Sequence, residues 1–399
     1  MNILVVSQYY YPEPFRINEI CEELAKRGHE VTVLTANPNY PDGEIYDGYK
    51  NVDSREEING VTVYRCKCRP RHKGAVNLGL NYIDFVRQAN KKIMKLDDNF
   101  DCVYAYQLSP VTSCFPAIRY KKKYGIPLFL YCLDVWPESL KGTALGNPIG
   151  LWFFGGISKY IYKSADKIAV TSPTFKRYLS NLFCIKESEI DYLPQHAEKV
   201  DWENTIPAVE KDDKKVNFVF MGNIGEAQNL ECLLHALALI KNRSNFLFHI
   251  VGSGSYYEKN VKLAEKLKVE DSVIFYGRHP KSDMLKFYAL ADVCYVSLKN
   301  EGIVGSTIPG KIQEYMSAGK PILACMDGDT QQIIDDAKCG LCVPANSKAQ
   351  LAKAIEQLIE KKEKLILLGE NAREYYIRHF TLNRYVDKFE YIISKLLRG

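Results

Sequence analysis

Apolar residues fall into short continuous runs, among them NILVVSQ, EVTVLTA, VTVYRC, CVYAYQ, PLFLYCLD and KIAVTS. Between several of these runs the apolar positions recur at helical spacing, as in Ile17 to Arg27, Tyr82 to Lys95 and Pro110 to Lys123. Continuous runs bounded by turn residues predict strands buried on both faces, and the alternation with helices predicts a parallel sheet covered by helices. At Tyr192 to Val216 the pattern breaks into a polar, charged stretch with two prolines, which reads as an inter-domain segment. The rhythm then restarts: NFVFMGN, a helix from Leu230 to Lys241, FLFHIVGSG, a helix through Val261 to Leu267, VIFYG, a helix from Ser282 to Leu290, and VCYVSL. PILACMD, a helix from Thr330 to Asp336 and GLCVPA follow, after which Lys348 to Gly399 is nearly all helical, with Thr381 to Leu397 a separate amphipathic piece. The expected fold class is therefore α/β, with two Rossmann-like doubly wound domains at 1–194 and 195–378. A last helix, 379–399, is expected to pack back on the first domain. Ligands belong at the carboxyl ends of such sheets, and in the cleft if the two domains face each other.

One segment says where a ligand sits. Ser306 to Ala324, STIPGKIQEYMSAGKPILA, reads as a polar turn, a short amphipathic helix and a buried strand. Ser306 and Thr307 are candidate caps, Pro309 suits the first helical turn and Gly319 closes the helix. A helix start with unpaired N–H groups, Gly310 removing bulk and Lys311 adding a cation makes a phosphate-sized site. Glu314, one turn on, is placed to bond sugar hydroxyls. An ordinary capped surface helix would explain the same pattern.

Other loops after strands carry weaker signals. Gln8 to Glu19 brings Glu13 and Arg16 to the mouth of the first strand, and Asn37 to Tyr49 is rich in Tyr, Asn and Gly, a composition for stacking on sugars or for plain turns. Asp134 and Trp136 stand at the end of another strand, Asp134 either binding substrate or capping a turn. Gly222, Asn223 and Gly225 form a tight turn in the second domain that a phosphate can approach, and Gly252 and Gly254 repeat the pattern. Tyr64 to Lys73, YRCKCRPRHK, is a basic aromatic patch beside AVNLGLNYIDF, fitting either anionic lipid headgroups or a solvated loop. His29 reads as a turn residue, and His196 as packing at the domain junction.

Composition narrows the classes. The chain of 399 residues has 53 basic and 48 acidic residues, a net charge of +5 that is too mild for nucleic acid as the main partner. Twelve cysteines are scattered, mostly in apolar runs, as buried thiols would be. Cys339 and Cys342 form a C-x-x-C with no second pair at ligand spacing, so metal or redox use is not expected. No window approaches the ~18 apolar residues of a spanning helix, and the start runs directly into a strand pattern, so a cytoplasmic protein is expected.

Together the motifs RGHEVTVLT (Arg27 to Thr35), NYPDG (Asn39 to Gly43), DVWPES (Asp134 to Ser139), FMGNIGEAQNLE (Phe220 to Glu231), ADV (Ala291 to Val293) and IPGKIQEYMSAGKPILA have a family likeness. The chain resembles the family 4 retaining glycosyltransferases of the GT-B fold, nearest to bacterial O-antigen and capsule sugar transferases of the L-fucosamine transferase type. The resemblance implies a hexosyltransferase-type enzyme that moves a sugar from a nucleotide-sugar (UDP-sugar) donor to a polyprenyl-diphosphate-linked glycan in surface polysaccharide biosynthesis. It implies a peripheral place on the inner face of the cell membrane, no cofactor and no metal. Donor contacts would come from Gly222, Asn223, Gly225, Gly252, Gly254, Ser306, Thr307, Gly310, Lys311 and Glu314, acceptor contacts from Glu13, Arg16, Asn39, Tyr40, Asp134 and Trp136. Asp134, Lys311 and Glu314 would carry catalysis by stabilising charge, with no dedicated protein nucleophile. Many members carry an acid where this chain has Ser306, and an Arg and a Lys where it has Asn223 and Gln228. Glu301, nearby, is out of register with the missing acid. Alternative readings are a nucleotide-sugar epimerase of the same fold and a catalytically degenerate partner subunit of a transferase.

Overall fold

The structure is a computed structural model that describes residues 1–96, 99–141, 143, 145–300 and 302–398. Met1–Pro194 with Leu382–Gly399 form one compact unit, and Gln195–Thr381 form a second.

In the first unit the chain runs β1 (Asn2–Val6), α1 (Ile17–Lys26), β2 (Glu30–Ala36), β3 (Ser54–Ile58), β4 (Val61–Cys66), α2 (Ala75–Ile93) and β5 (Cys102–Gln107). It continues through α3 (Phe115–Tyr124), β6 (Leu128–Cys132), α4 (Pro148–Ser164), β7 (Lys167–Val170), α5 (Pro173–Phe183) and β8 (Ile190–Tyr192). The sheet order is β3-β4-β2-β1-β5-β6-β7-β8. Every pairing is parallel except the β3–β4 hairpin, which departs from the all-parallel expectation. Strand β3, SREEI, alternates half-buried and exposed positions at the sheet edge, so no apolar run announces it. Helices α4 and α5 are likewise unannounced, and α2 begins at Ala75, a turn and more before Tyr82.

The second unit runs β9 (Val216–Met221), α6 (Leu230–Leu239), β10 (Phe246–Val251), α7 (Tyr257–Leu267), β11 (Val273–Gly277), α8 (Met284–Leu290) and β12 (Val293–Ser297). Then come α9 (Gly310–Ser317), β13 (Ile322–Cys325), α10 (Asp329–Ala337), β14 (Gly340–Val343), α11 (Lys348–Glu360) and α12 (Leu365–His379). Its parallel sheet has the order β11-β10-β9-β12-β13-β14, so strand order reverses between β9 and β12. Ligands of such sheets bind outside the carboxyl ends at that reversal. Asp292 of the ADV motif sits at the opposite edge: its carboxylate accepts from the Asn217 backbone at 2.9 Å and meets Lys211 Nζ at 2.7 Å. It ties β9 to β12.

The last helix, α13 (Leu382–Arg398), lays Tyr385, Val386, Phe389, Ile392 and Ile393 into the core of the first unit. That spacing is one helical face. Tyr104 and Tyr385 hydroxyls bond at 2.8 Å, Arg27 reaches Asp387 at 2.7 Å, and His29 Nε2 meets Glu390 at 2.8 Å. His29 is thus a structural link. Cys339 and Cys342 do not meet as a pair: their thiols face the Ile334 and Met326 carbonyls respectively, and burial pushes both up to about 12.

Candidate functional site

The carboxyl end of β9 is where two glycine-bearing loops clasp. Gly222 N–H donates to Val251 O at 2.8 Å and Ile224 N–H to Ser253 O at 2.9 Å. A Cβ on Gly252 would lie 1.8 Å from the Gly222 carbonyl, and one on Gly254 2.4 Å from that of Ile224. These two glycines therefore serve backbone-on-backbone packing of the loops, as tight turns would. Gly222 differs in its neighbour: a Cβ there would lie only 2.6 Å from Lys311 Nζ. Asn223 and Gly225 are held by one acceptor, Gln228 Oε1, at 3.2 and 3.0 Å. Asn223 and Gln228, where the family resemblance implies cations, are a neutral pair bonded to each other.

Lys311 reaches this point because of how α9 is pinned. Pro309 is the N-cap, with ψ 141, and its cap carries no side-chain hydrogen bond. Ser306 and Thr307 do not cap: Ser306 ends a 3-10 turn from Gly302 and abuts Gly328, and the Thr307 carbonyl accepts from Thr330 Oγ1 at 3.3 Å. Pro309 thus stands one position before the helix. Gly319, with φ +64, closes it as expected. Glu301 lies outside the described residues.

The buried Tyr315 hydroxyl accepts from Met221 N–H at 3.3 Å and donates to Tyr295 O at 3.3 Å, fixing α9 to both β9 and β12. One turn earlier, Lys311 Nζ lies 3.8 Å over the Phe220 ring. Burial pushes this ammonium down to about 8, opposed by the Glu314 carboxylate. Tyr315 and Phe220 are positioning residues that the sequence reading passed over. Tyr315 stands at i+4 from Lys311, a face relation visible in sequence, but nothing there reveals its bond to Met221. A partly desolvated cation beside an uncapped helix start favours an anion, which would return the lysine to full charge.

In the first unit Glu13, 1% exposed, organises two loops. Its Oε1 accepts from the backbones of Asn39 and Tyr40, both at 2.8 Å, and Oε2 from Tyr10 at 3.3 Å. Burial pushes this carboxyl up to about 7 against the three N–H bonds that favour its charge. Asn39 in turn accepts from the Arg71 backbone at 3.0 Å. Tyr9, Phe15 and Tyr40 form an aromatic cluster, with Arg71 5.1 Å over the Tyr40 ring. Arg16, at the N-cap of α1, is close enough to Tyr106 for its charge to oppose the burial that raises that hydroxyl.

Asp134 and Trp136 converge on one residue: Asp134 Oδ2 accepts from Ser109 N–H at 3.0 Å and Trp136 Nε1 donates to Ser109 Oγ at 3.0 Å. Trp136 is buried against Phe154, so its ring packs inside the unit. The basic patch Tyr64 to Lys73 is not a uniform cationic surface. Arg65 is buried, pairs with Glu56 and donates to Tyr11 O at 2.6 Å, while the Arg69 backbone bonds Asp84 at 2.8 Å.

Two family descriptions match the chain: a Glycosyl transferase 4-like domain over residues 15–196 and Glycosyl transferases group 1 over residues 201–375. The probable glycosyltransferase WbjE of Pseudomonas aeruginosa is 30% identical over 303 residues, 71% of each chain. The putative colanic acid biosynthesis glycosyl transferase WcaI of Escherichia coli K12 is 24% identical over 94% of this chain and 95% of its own. HepE of Anabaena, solved in complex with UDP-glucose, superposes with a TM-score of 0.66 at 14% identity, covering 99% of this chain and 100% of its own. Its likeness is one of fold. Two parallel-sheet units, a cationic helix start at the strand-order reversal of the second, and these matches place the chain in the GT-B glycosyltransferases, a 4-like domain followed by a group 1 domain.

Proposed function

We propose that this glycosyltransferase takes its sugar from a nucleotide-sugar donor bound to the second unit and transfers it, with retention, to a lipid-linked glycan of a surface polysaccharide, O-antigen or capsule. The observation that carries the donor assignment is Lys311 Nζ held against Gly222 at the β9/β12 reversal, beside the start of α9. Lys311 and the Gly310 amide bind the diphosphate, and Glu314 bonds the ribose. Their role is to stabilise the charge that develops as the diphosphate leaves, so no metal is required. The Glu13-held loops, with Asn39, Tyr40, Arg16 and Asp134, present the acceptor. Support for a nucleotide sugar comes from HepE in complex with UDP-glucose, and for polysaccharide assembly from the name of WcaI. The motif likeness to L-fucosamine transferases points to the same class of acceptor, a polyprenyl diphosphate at the inner face of the membrane.

The test is calorimetric titration of the protein and of Lys311→Met with UDP and a panel of nucleotide sugars, followed by transfer assays in EDTA. Binding by the wild type, its loss in the variant and EDTA-resistant transfer are expected. Activity restored only by a divalent ion would overturn the metal-free reading. The neutral Asn223–Gln228 pair favours one second reading, a degenerate partner subunit. Absence of nucleotide binding by the wild type would select it.

A further inference from the structure

Helix α4, one of two that the hydrophobic pattern did not reveal, turns an apolar strip toward solvent. Ile149 and Trp152 are each 79% exposed and Phe153 is 55% exposed, with Leu145 exposed just before the helix. Positions 149, 152, 153, 156, 160 and 163 recur at helical spacing, so they form one face. That face is apolar in its first turns and carries Tyr160 and Lys163 in its last, with Lys159 at its border. Helix α4 packs against α3 and α5. The three helices carry four, two and two basic residues, counted in the order α3, α4, α5, and no acidic one. Over the whole chain the balance is only +5, so the positive charge is concentrated here. Lys122 of α3 donates to the Tyr160 hydroxyl at 2.7 Å, which places a cation directly beside the strip.

An exposed Trp, Phe and Ile tip on three helices that carry lysines and no acidic residue of their own, with Asp166 after α4 pairing Lys121 at 2.6 Å, has the chemistry of an interfacial anchor: aromatic and aliphatic groups enter the acyl boundary while the remaining ammonium groups meet lipid phosphates. Among the described residues no helix is long and apolar enough to cross a membrane. The basic patch at Tyr64 to Lys73 is a poorer candidate, because Arg65 is buried and paired with Glu56 and the patch itself carries no exposed apolar strip like that of α4. We propose that the solvent-facing strip of α4, around Ile149, Trp152 and Phe153, docks the first unit on an anionic lipid surface. The proposal rests on the reading of a membrane-held acceptor and names the surface that meets the membrane.

The experiment is flotation of the full-length protein with phosphatidylcholine vesicles, with and without phosphatidylglycerol, together with tryptophan emission. The wild type is expected to float with the anionic vesicles, less at high salt, with a blue shift from Trp152. Trp152→Glu with Phe153→Glu is expected to weaken partition by about tenfold or more, with unchanged circular dichroism and unchanged nucleotide-sugar affinity. Lys67→Glu with Arg69→Glu is expected to keep partition. If that patch variant abolishes flotation while the α4 variant retains it, the proposal fails. It fails equally if the wild type ignores vesicles, or if it forms a dimer that the α4 variant dissolves without any lipid binding. A wild type that transfers sugar to a detergent-dispersed lipid acceptor yet ignores vesicles overturns the docking face alone. Vesicle binding through α4 without such transfer sustains the docking face and overturns the acceptor reading.

Discussion

Lys311 and Glu13 are both charged groups taken largely out of water at the carboxyl edge of a parallel sheet, and they are handled in opposite ways. Glu13 accepts three backbone N–H groups from two loops, so its oxygens serve the protein itself. Lys311 rests on the face of Phe220 beside a glycine, with its charge held near an uncapped helix start. A buried charge saturated by its own backbone is architecture, whereas a half-buried cation set against a ring and a bare glycine keeps its charge for the proposed ligand.

The largest expected separation between them is in transfer. Lys311→Met should cut turnover by about 10²–10³-fold, the size of losing one preorganised charge at a developing anion, while leaving the fold intact. Its stability should rise by roughly 1 kcal/mol near neutral pH, because a desolvated ammonium is costly there. The sign follows from a lysine lowered from 10.5 to about 8. Between those values the folded protein binds fewer protons than the unfolded chain, so stability climbs with pH across that window and the cost is full below it. Wild-type stability should therefore rise over this alkaline range and the variant's should not. A variant with wild-type turnover would break the contrast, since Lys311 would then be architecture as well.

Gly252→Ala should come next. Its Cβ would sit 1.8 Å from the Gly222 carbonyl, so the loop clasp must open at a cost of about 3 kcal/mol. Denaturant unfolding should show the loss, and donor affinity should fall with it because Gly222 carries the surface that Lys311 meets.

Glu13→Ala should cost roughly 2 kcal/mol by leaving buried N–H groups without an acceptor. Glu13→Gln should cost less, since its one oxygen still serves Asn39 and Tyr40, and its signature is a pH profile. The carboxyl is raised from 4.5 to about 7, so over that window the folded state holds a proton that the unfolded chain has lost. Wild-type stability should fall as pH rises across it, and the glutamine variant should lose that slope. Melting curves over the window that coincide for the two proteins would remove Glu13 from the buried-charge half of the comparison.

How much of this was legible in advance differs by element. Central strands such as β1, β9 and β13 are near-continuous apolar runs because helices cover both their faces, and α13 shows its core face at plain helical spacing. Strand β3 escaped because an edge strand alternates, and α4 because its solvent face is itself apolar in its first turns, which erases the contrast a helical period needs. In the site, Gly310, Lys311 and Gly319 stand where the motif put them, but capping by Ser306 and Thr307 did not survive, because the chain between β12 and α9 winds into a 3-10 turn packed on Gly328. The glycines at 252 and 254 fit either ligand-facing or tight turns in the sequence, and the structure adds that each lets two loops pack backbone on backbone.

By itself the amino-acid sequence determined the two sheets, the parallel rhythm, the register of the Lys311 helix and the family likeness, because each depends on local period and on order along the chain. Tertiary structure alone decided which charges are spent and which are held ready. Tyr315 finds Met221 across 94 residues, Glu13 finds Asn39 across 26, and Arg65 finds Tyr11 across 54. Burial and hydrogen-bond partners over such separations follow from how sheets and loops pack, and no local pattern encodes them.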